Sequence, residues 1–268
     1  MDLIVTSNIM LNSISTTNLL AAYKKLNISV ALINLDECQL VLETKEILYN
    51  GLSINIGKVD YVFQVFEEYH LGLRTFNEFL SENKRVKIFN KDYEIVANKH
   101  LAYVLLNKIG ITTLPAEPVS SVNYKDYTKF PYVVKMLSGP SMDDVLVEDD
   151  VALKALVEKG RQLVIYPLFI EQKEIYEVAA SKREVLYTIR RTLKAGPCLA
   201  NVKNKAKNEM IECPPSLDSH VERIMRALRL DFLNLEFMIL NKTWVLIGVE
   251  NLIVPTEAIG RKIVKSFS

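Results

Sequence analysis

The sequence predicts an α/β protein with α+β lobes, on three observations. A strand, a helix and a second strand follow one another within the first 33 residues, as in a parallel βαβ unit. A long hairpin is predicted at 175–192, and a second antiparallel pair, at 232–240 and 243–249, follows near the carboxyl end. We therefore expect an open α/β lobe at the amino end and an antiparallel sheet at the carboxyl end.

Composition and local sequence argue against three broad classes of protein: nucleic-acid binders, secreted proteins and membrane proteins. The chain of 268 residues is 49% hydrophobic, enough for a substantial core, and its 33 Lys and Arg residues nearly balance its 32 Asp and Glu residues. A dedicated nucleic-acid binder carries a strongly basic surface, so we expect no nucleic-acid partner. The amino terminus lacks the basic and apolar regions of a secretory signal, and no apolar run approaches the roughly 18 residues of a membrane span. We therefore expect a cytoplasmic protein without a membrane partner.

The cysteines and histidines do not predict a zinc site. Cys38, Cys198 and Cys213 form no C-x-x-C pair, and the three histidines lie far apart along the chain. Free thiols in a reducing compartment are the expected state of these cysteines.

The amino-terminal third predicts a small open α/β lobe. Leu19, Leu20, Tyr23 and Leu26 repeat at helical spacing between two short apolar strands. In chain order, the predicted elements are a strand at 2–6, this helix, strands at 28–33 and 59–65, a helix at 71–80 and a strand at 86–90. No G-x-G-x-x-G turn follows the first strand, and no P-loop motif occurs anywhere in the sequence. A bound nucleotide would therefore need another kind of site.

Glycine and proline mark the limits of the central elements. A helix at 91–109 is predicted to end at Gly110, and Pro115 and Pro118 mark a connector. The elements that follow are a strand at 132–136, a helix at 151–159 capped by Asp149 or Asp150, and a strand at 163–166.

The carboxyl-terminal third adds two hairpins and two helices. The first hairpin turns near 180–183, and Ser216 is the predicted N-cap of a helix that runs to residue 228. Asn241 and Lys242 form a two-residue turn between the closing strands, and a last helix covers 256–265. These elements predict three lobes, at 1–88, 89–170 and 171–268.

Three charged residues lie in strands that are otherwise apolar. Glu236 is flanked by leucine and phenylalanine, and Glu250 ends the strand that pairs with it. Two carboxylates that face each other in such a setting normally need a cation. Lys135 follows Tyr132, Val133 and Val134, and a buried ammonium needs an anion such as a phosphate.

The order of these features resembles the ATP-grasp ligases of the RimK-like branch. The resemblance is closest to the LysX and ArgX type, which join an amino acid to the terminal glutamate of a small acidic carrier protein. It covers nearly the whole chain, with an amino-terminal α/β lobe, a central lobe with a lid and a carboxyl-terminal antiparallel sheet. The matching motifs are Asn98-Lys99, Pro131 to Lys135, Tyr166 to Glu171, Ile189-Arg190-Arg191, Leu199-Ala200-Asn201, Leu235-Glu236-Phe237 and Glu250-Asn251.

The resemblance implies an ATP- and Mg²⁺-dependent enzyme that forms an amide through an acyl phosphate. Its substrates would be ATP and the carboxylate of a small amino acid or of a carrier protein. The resemblance is also compatible with a homo-oligomer. The roles it implies are phosphate contact for Lys99 and Lys135, adenine binding for Phe169, Ile170 and Glu171, catalysis for Arg191 and Asn201, and Mg²⁺ ligation for Glu236, Glu250 and Asn251.

The sequence departs from this family at three places. The lid at 138–144 keeps only Gly139, while Pro140 removes a backbone donor and two aspartates would repel a triphosphate. Tyr176 replaces the arginine of the D-I-R motif, and Asn251 follows Glu250 directly where the family has one residue between them. Three hypotheses therefore stay open: an active carboxylate–amine ligase, a catalytically degenerate homologue that acts as a nucleotide-binding or regulatory subunit, and an α/β binding protein without a nucleotide.

Overall fold

The computed structural model describes most of the chain and divides it into two compact units. It describes residues 1–8, 10–66, 70–92, 94–114, 117–136, 145–159, 163–167, 174–192, 207–251 and 254–267. The first unit comprises Met1–Tyr93, Leu230–Leu233 and Asn251–Ser268, and the second comprises Glu94–Arg229 and Asn234–Glu250. The predicted mixed α/β class is confirmed. The three lobe boundaries at 88/89 and 170/171 stay predictions.

The first unit is built on a parallel sheet. Its elements up to Tyr93 are β1 (Asp2–Thr6), α1 (Ile14–Lys25), β2 (Val30–Asn34), β3 (Cys38–Val41), β4 (Glu46–Tyr49), β5 (Leu52–Ser53), β6 (Tyr61–Val65), α2 (Leu71–Ser81) and β7 (Lys87–Ile88). Strands β2, β1, β6 and β7 lie side by side in that order, and each neighbouring pair is parallel. Every residue of β1 is buried, as an apolar strand at the centre of a parallel sheet requires. The predicted βαβ unit is therefore present.

Strands β3 to β5 form a small antiparallel sheet that the sequence analysis missed. They are two to four residues long, and both residues of β5 are exposed. Such strands lack the repeated apolar face on which a sequence prediction depends.

The second unit contains a four-stranded antiparallel sheet and a five-stranded sheet. Its elements are α3 (Glu94–Ala97), α4 (Lys99–Lys108), β8 (Glu117–Val119), β9 (Tyr132–Met136), β10 (Val145–Val147), α5 (Asp150–Val157), β11 (Leu163–Pro167), β12 (Glu174–Ser181), β13 (Val185–Thr192), β14 (Lys207–Ile211), α6 (Pro215–Leu228), β15 (Phe232–Leu240) and β16 (Thr243–Glu250), of which β15 begins in the first unit. One sheet has the order β10-β9-β11-β8 and the other β14-β13-β12-β15-β16. The two predicted hairpins are the pairs β12–β13 and β15–β16.

Two helix predictions need correction. The single helix predicted at 91–109 is two helices, because Asn98 accepts a hydrogen bond from the backbone N–H of Leu101 at 3.0 Å and caps α4. Ser216 is not an N-cap: α6 begins at Pro215, a residue whose fixed φ suits the first turn of a helix. The hydroxyl of Ser216 instead accepts a hydrogen bond from Nε1 of Trp244 at 3.0 Å.

The last helix, α7 (Glu257–Lys265), returns to the first unit and packs on α1. Gly260 allows this packing, since a Cβ there would lie 3.0 Å from the carbonyl oxygen of Asn18 and 3.0 Å from Cβ of Ala22. Among the described residues, no helix has the length and apolarity needed to cross a membrane.

Candidate functional site

Six polar side chains lie together on the five-stranded sheet of the second unit. We call them the acid–arginine cluster; they are Glu177, Tyr187, Arg191, Asn234, Glu236 and Glu250. They come from strands β12, β13, β15 and β16, so the hairpins predicted from the sequence bring them together.

The register of β15 and β16 places three of these residues on one face. Asn234 lies opposite Glu250, and Glu236 lies opposite Gly248. Because alternate residues of a strand point to the same side, Asn234, Glu236 and Glu250 share that side. A β-bulge follows Glu236, after which the register of the pair shifts.

Gly248 leaves room for the carboxylate of Glu236. A Cβ at this glycine would lie 2.8 Å from Oε2 of Glu236, 3.2 Å from its Cβ and 3.3 Å from its Cγ. The glutamate side chain therefore lies across the backbone of β16, over a position that tolerates no side chain without a shift.

Arg191 joins the two hairpins through two ion pairs. In the register of β12 and β13, Ile175 lies opposite Arg191 and Glu177 opposite Ile189, so Arg191 and Glu177 are diagonal neighbours on one face. Nη2 of Arg191 pairs with Oε2 of Glu177, and its Nη1 lies 3.2 Å from Oε1 of Glu236. Only 2% of Glu177 and 6% of Glu236 is exposed, a depth at which a carboxylate needs a counter-charge.

Tyr187 and Asn234 complete the contacts of Glu177. The Tyr187 hydroxyl lies 3.2 Å from Oε1 of Glu177, and Nδ2 of Asn234 donates to the same oxygen at 3.3 Å. Burial raises the pKa of Tyr187, and the charges of Glu236 and Glu250 raise it further.

The donor set fits a Mg²⁺ ion that is bound together with a phosphate ligand. Three carboxylates and one guanidinium leave an excess of two negative charges among the charged residues of the cluster, and carboxylate oxygens are the ligands that Mg²⁺ prefers. Among the described residues, no group of three or more His, Cys, Asp or Glu is arranged to hold a metal by itself. Glu236 and Glu250 could supply two ligands, since Mg²⁺ usually takes one or two protein carboxylates and completes its shell with water and phosphate oxygens.

The neighbouring residues Arg190 and Tyr176 lie away from the cluster. Arg190 pairs with Glu209 at 2.7 Å and with Glu174 at 3.9 Å, and its guanidinium holds the pKa of the Glu209 carboxyl below its usual value. Tyr176 donates to Glu174 at 3.0 Å and meets the Trp244 ring edge-on at 5.0 Å between ring centroids. Tyr176 therefore packs on the face of the sheet opposite Glu177.

Asn251 belongs to a carboxamide network in the first unit. Its Nδ2 donates to the carbonyl oxygens of Gln64 and Phe66, both at 3.1 Å, and its Oδ1 accepts from Nδ2 of Asn90 at 3.0 Å. The side chain is 8% exposed. Its amide is thus engaged with Asn90 and with the end of β6.

The remaining predicted site residues are described in part or not at all. Lys99 is the first residue of α4, and Lys135 lies in β9 opposite Val164 of β11. Phe169, Ile170, Glu171 and Asn201 lie outside the described residues, as does the lid at 138–144.

Sequence reasoning missed Glu177, Tyr187 and Asn234. A signal for Glu177 was available, because it is an acid inside the apolar run Ile175 to Ala180, as Glu236 is in its own strand. Asn234 precedes Glu236 by two residues and therefore had to share its face. Tyr187 carried no such signal, since a tyrosine is common in any strand.

No family model matches the sequence, and no curated protein matches it either. Solved structures match over almost the whole chain. A RimK domain ATP-grasp protein from Sphaerobacter thermophilus is 15% identical, with a TM-score of 0.70 over 96% of this chain and 97% of that one. D-alanine–D-alanine ligase from Bacillus anthracis, solved with ATP, is 15% identical, with a TM-score of 0.68 over 94% and 86%. The ATP-grasp ligase PsnB, solved with a minimal precursor, Mg and ADP, is 10% identical, with a TM-score of 0.66 over 99% and 95%.

Proposed function

We propose that this chain, which has the ATP-grasp fold and RimK-like structural relatives, is an ATP- and Mg²⁺-dependent carboxylate–amine ligase. The observation that carries the proposal is the acid–arginine cluster, in which Glu236 and Glu250 share one face of the β15–β16 pair and Arg191 forms an ion pair with Glu236. Bound ATP and Mg²⁺ would supply the phosphoryl group that converts a substrate carboxylate into an acyl phosphate, which an amine then attacks.

The chain's own residues would act by binding and electrostatics. Glu236 and Glu250 would hold Mg²⁺. Arg191 uses two of its N–H groups for ion pairs and would donate its remaining N–H groups to the phosphates. Asn251, the third ligand that the resemblance implies, stays a prediction, since Mg²⁺ would bind its Oδ1 and not the Nδ2 that donates to Gln64 and Phe66.

Further binding roles are proposed from the resemblance in sequence. Lys99 and Lys135 would contact the phosphates, and Phe169, Ile170 and Glu171 would bind the adenine. Asn201 would take part in catalysis with Arg191. Lysine suits phosphate contact because its ammonium stays protonated at neutral pH.

The proposed acceptor of the phosphoryl group is a carboxylate on a small amino acid or on a carrier protein. A small amino acid as substrate agrees with the D-alanine–D-alanine ligase among the structural relatives, and a polypeptide substrate agrees with PsnB, which was also solved with a precursor peptide. The proposal also includes a cytoplasmic role in amino-acid biosynthesis. It is compatible with a homo-oligomer.

The test is ADP formation from ATP and Mg²⁺ in the presence of pooled carboxylates and amines. We expect the wild-type protein to form ADP, and Glu236→Gln and Glu250→Gln to lower the rate about 100-fold or more, since each removes a metal ligand. Glu209→Gln, which alters an exposed acid paired with Arg190, is the matched control and should keep the rate. Unchanged turnover in both site variants would contradict the assignment of the metal to these acids.

A degenerate, nucleotide-binding homologue is the second candidate, and Tyr176 favours it. The family resemblance implies an arginine at this position, whereas Tyr176 donates to Glu174 and packs on Trp244, so the cation that the resemblance implies is replaced by a neutral side chain. In that case MgATP at 100 times its Kd would stabilise the protein by about 2.7 kcal/mol without ADP formation. A melting temperature unmoved by millimolar MgATP would instead indicate a binding protein without a nucleotide.

A further inference from the structure

Glu177 is the member of the cluster that no sequence motif assigns to the metal or to the phosphates. It lies within β12 between Tyr176 and Val178, and 2% of it is exposed. An ionised carboxylate at this depth requires a counter-charge and hydrogen-bond donors, and the sheet provides both.

The two oxygens of Glu177 have different partners. Oε1 accepts from the Tyr187 hydroxyl at 3.2 Å and from Nδ2 of Asn234 at 3.3 Å. Oε2 forms the ion pair with Nη2 of Arg191. Because donors from β13 and β15 hold Oε1, the carboxylate plane is fixed and Oε2 is directed at the guanidinium.

Arg191 therefore lies between two carboxylates that the proposed function uses differently. Its Nη1 lies 3.2 Å from Oε1 of Glu236, an acid that would share its charge with Mg²⁺. Glu177 has no proposed role as a Mg²⁺ ligand, so it can remain the counter-ion of Arg191 when metal and nucleotide bind. A guanidinium carries five N–H donors, so two ion pairs leave donors for a phosphate oxygen.

We propose that Glu177 is a positioning residue that holds the Arg191 guanidinium in place for the nucleotide phosphates and away from a full ion pair with Glu236. This inference rests on the proposed function. Without Glu177, the guanidinium would turn to Glu236 as its single counter-ion. That movement would withdraw Arg191 from the phosphates and Glu236 from the metal together.

The experiment is a double-mutant cycle read out as the dissociation constant of AMPPNP in saturating Mn²⁺. The proteins are wild type, Glu177→Gln, Arg191→Met and the double variant. Glutamine keeps the oxygen that accepts from Tyr187 and Asn234 but presents an amide to Arg191 in place of a carboxylate. Circular dichroism and melting temperature monitor folding, and Arg191→Lys replaces Arg191→Met should the methionine variant fail to fold.

If Glu177 acts through Arg191, each single variant should weaken binding about 10-fold and the double variant no more than Arg191→Met alone. Glu177→Asp, which keeps the charge, should restore binding to within about threefold of wild type. Glu174→Gln, on the same strand but paired with Arg190, should bind as wild type does.

Two results would overturn the inference by itself: losses that multiply in the double variant, or a Glu177→Gln protein that binds as tightly as wild type. A wild-type protein that fails to bind AMPPNP with Mn²⁺ would overturn the proposed function and this inference together. The wild-type titration thus separates the two failures.

Discussion

At the scale of single residues, the candidate site depends on how the sheet compensates buried charge. Arg191 neutralises part of the charge of Glu177 and Glu236, and Tyr187 and Asn234 satisfy the remaining acceptor of Glu177. Removing one partner of such a set is costly, because it leaves a buried charge uncompensated. The acid–arginine cluster is therefore best tested by substitutions that keep all of its charged residues and displace one of their side chains.

Gly248→Ala is such a change. The new Cβ would displace the Glu236 carboxylate, whose Oε2 lies 2.8 Å from that position, while every charge of the cluster remains. We expect MgATP binding to weaken about 10-fold with a stability loss of about 1 kcal/mol, since the nearest atom is the end of a flexible side chain. Calorimetric titration measures the first effect and thermal unfolding the second.

Gly57→Ala is the control for Gly248→Ala, since that glycine lies in the first unit and would meet only the Asn55 side chain at 3.2 Å. It should leave MgATP binding unchanged. A Gly248→Ala protein with wild-type affinity would show that the position of Glu236 does not limit binding.

Asp36 offers a second test at the scale of single residues, through the pH dependence of the protein's stability. Its carboxylate accepts from the backbone N–H of Asn8 at 2.6 Å and from Nε2 of His70 at 2.9 Å, and these bonds hold its pKa below the usual 3.8. A lowered carboxyl pKa stabilises the folded state above the unfolded-state pKa, and the contribution disappears as the pH falls through the folded-state value.

Asp36→Asn should therefore lower the melting temperature by about 1–3 °C at pH 7, with a difference from wild type that shrinks below pH 3.8. Melting curves from pH 7 to pH 3 measure it. Asp92→Asn, at an exposed turn position, is the control. A difference that grows as the solution is acidified would contradict the assigned sign.

Single residues were predictable where they broke a local pattern. Glu236 and Glu250 could be proposed from the sequence because they are acids in apolar strands, and their role remains a prediction. The environment of Glu177 could not, since the residues that surround it are ten, fourteen and 57 positions away. Asn251 was proposed as a ligand from its motif, and that role also remains a prediction; its hydrogen bonds to residues 161–187 positions earlier could not be predicted from the sequence.

At the scale of elements, helix ends show where local chemistry decides the structure. α4 ends before Gly110, whose φ of +75° is a conformation that favours glycine, and this end was predicted. α6 ends at Arg229, which takes the same left-handed region with φ 56° and ψ 24°. A side chain there costs conformational energy that glycine avoids.

Arg229→Gly should consequently stabilise the protein by about 0.5–1 kcal/mol. Ala227→Gly, two residues earlier on the exposed side of α6, is the matched control and should destabilise it by about 1 kcal/mol, because glycine is a poor residue inside a helix. Urea unfolding of both variants gives the comparison. A loss of stability in both would mean that the αL position at Arg229 carries no strain.

Elements were predictable in proportion to their burial. β1, β9 and β15 have apolar runs, and their positions agree with the prediction. The short strands β3, β4, β5, β8, β10 and β14 were not predicted, and β14 has four exposed residues out of five. Their pairing depends on neighbours distant in sequence, which no local pattern encodes.

At the scale of the whole molecule, the first unit is assembled from three separate stretches of chain. The Asn90 side chain binds the backbone of Asp231 and Phe232, and the Phe89 ring lies 5.4 Å from Phe232 and 4.7 Å from Phe267, between ring centroids. The amino-terminal sheet was predictable from its first 90 residues. The return of residues 230–233 and 251–267 was not, because it depends on contacts more than 140 positions apart.

A fragment of residues 1–93 should therefore fail to fold. It lacks α7, Phe232 and Phe267, and with them much of the core that covers α1 and Phe89. Near-ultraviolet circular dichroism should show no fixed aromatic environment, and thermal unfolding should not be cooperative. The fragment 94–250, which carries the whole second unit, is the comparison and should unfold cooperatively. A sharply melting 1–93 fragment would contradict the dependence on the returning segments.

The most direct test of the account is a crystal structure of the protein with Mg²⁺ and AMPPNP. We expect one Mg²⁺ about 2.1 Å from carboxylate oxygens of both Glu236 and Glu250, with phosphate oxygens in its remaining positions and Arg191 beside them. A nucleotide and metal bound away from these two acids, or no binding at millimolar concentration, would contradict it.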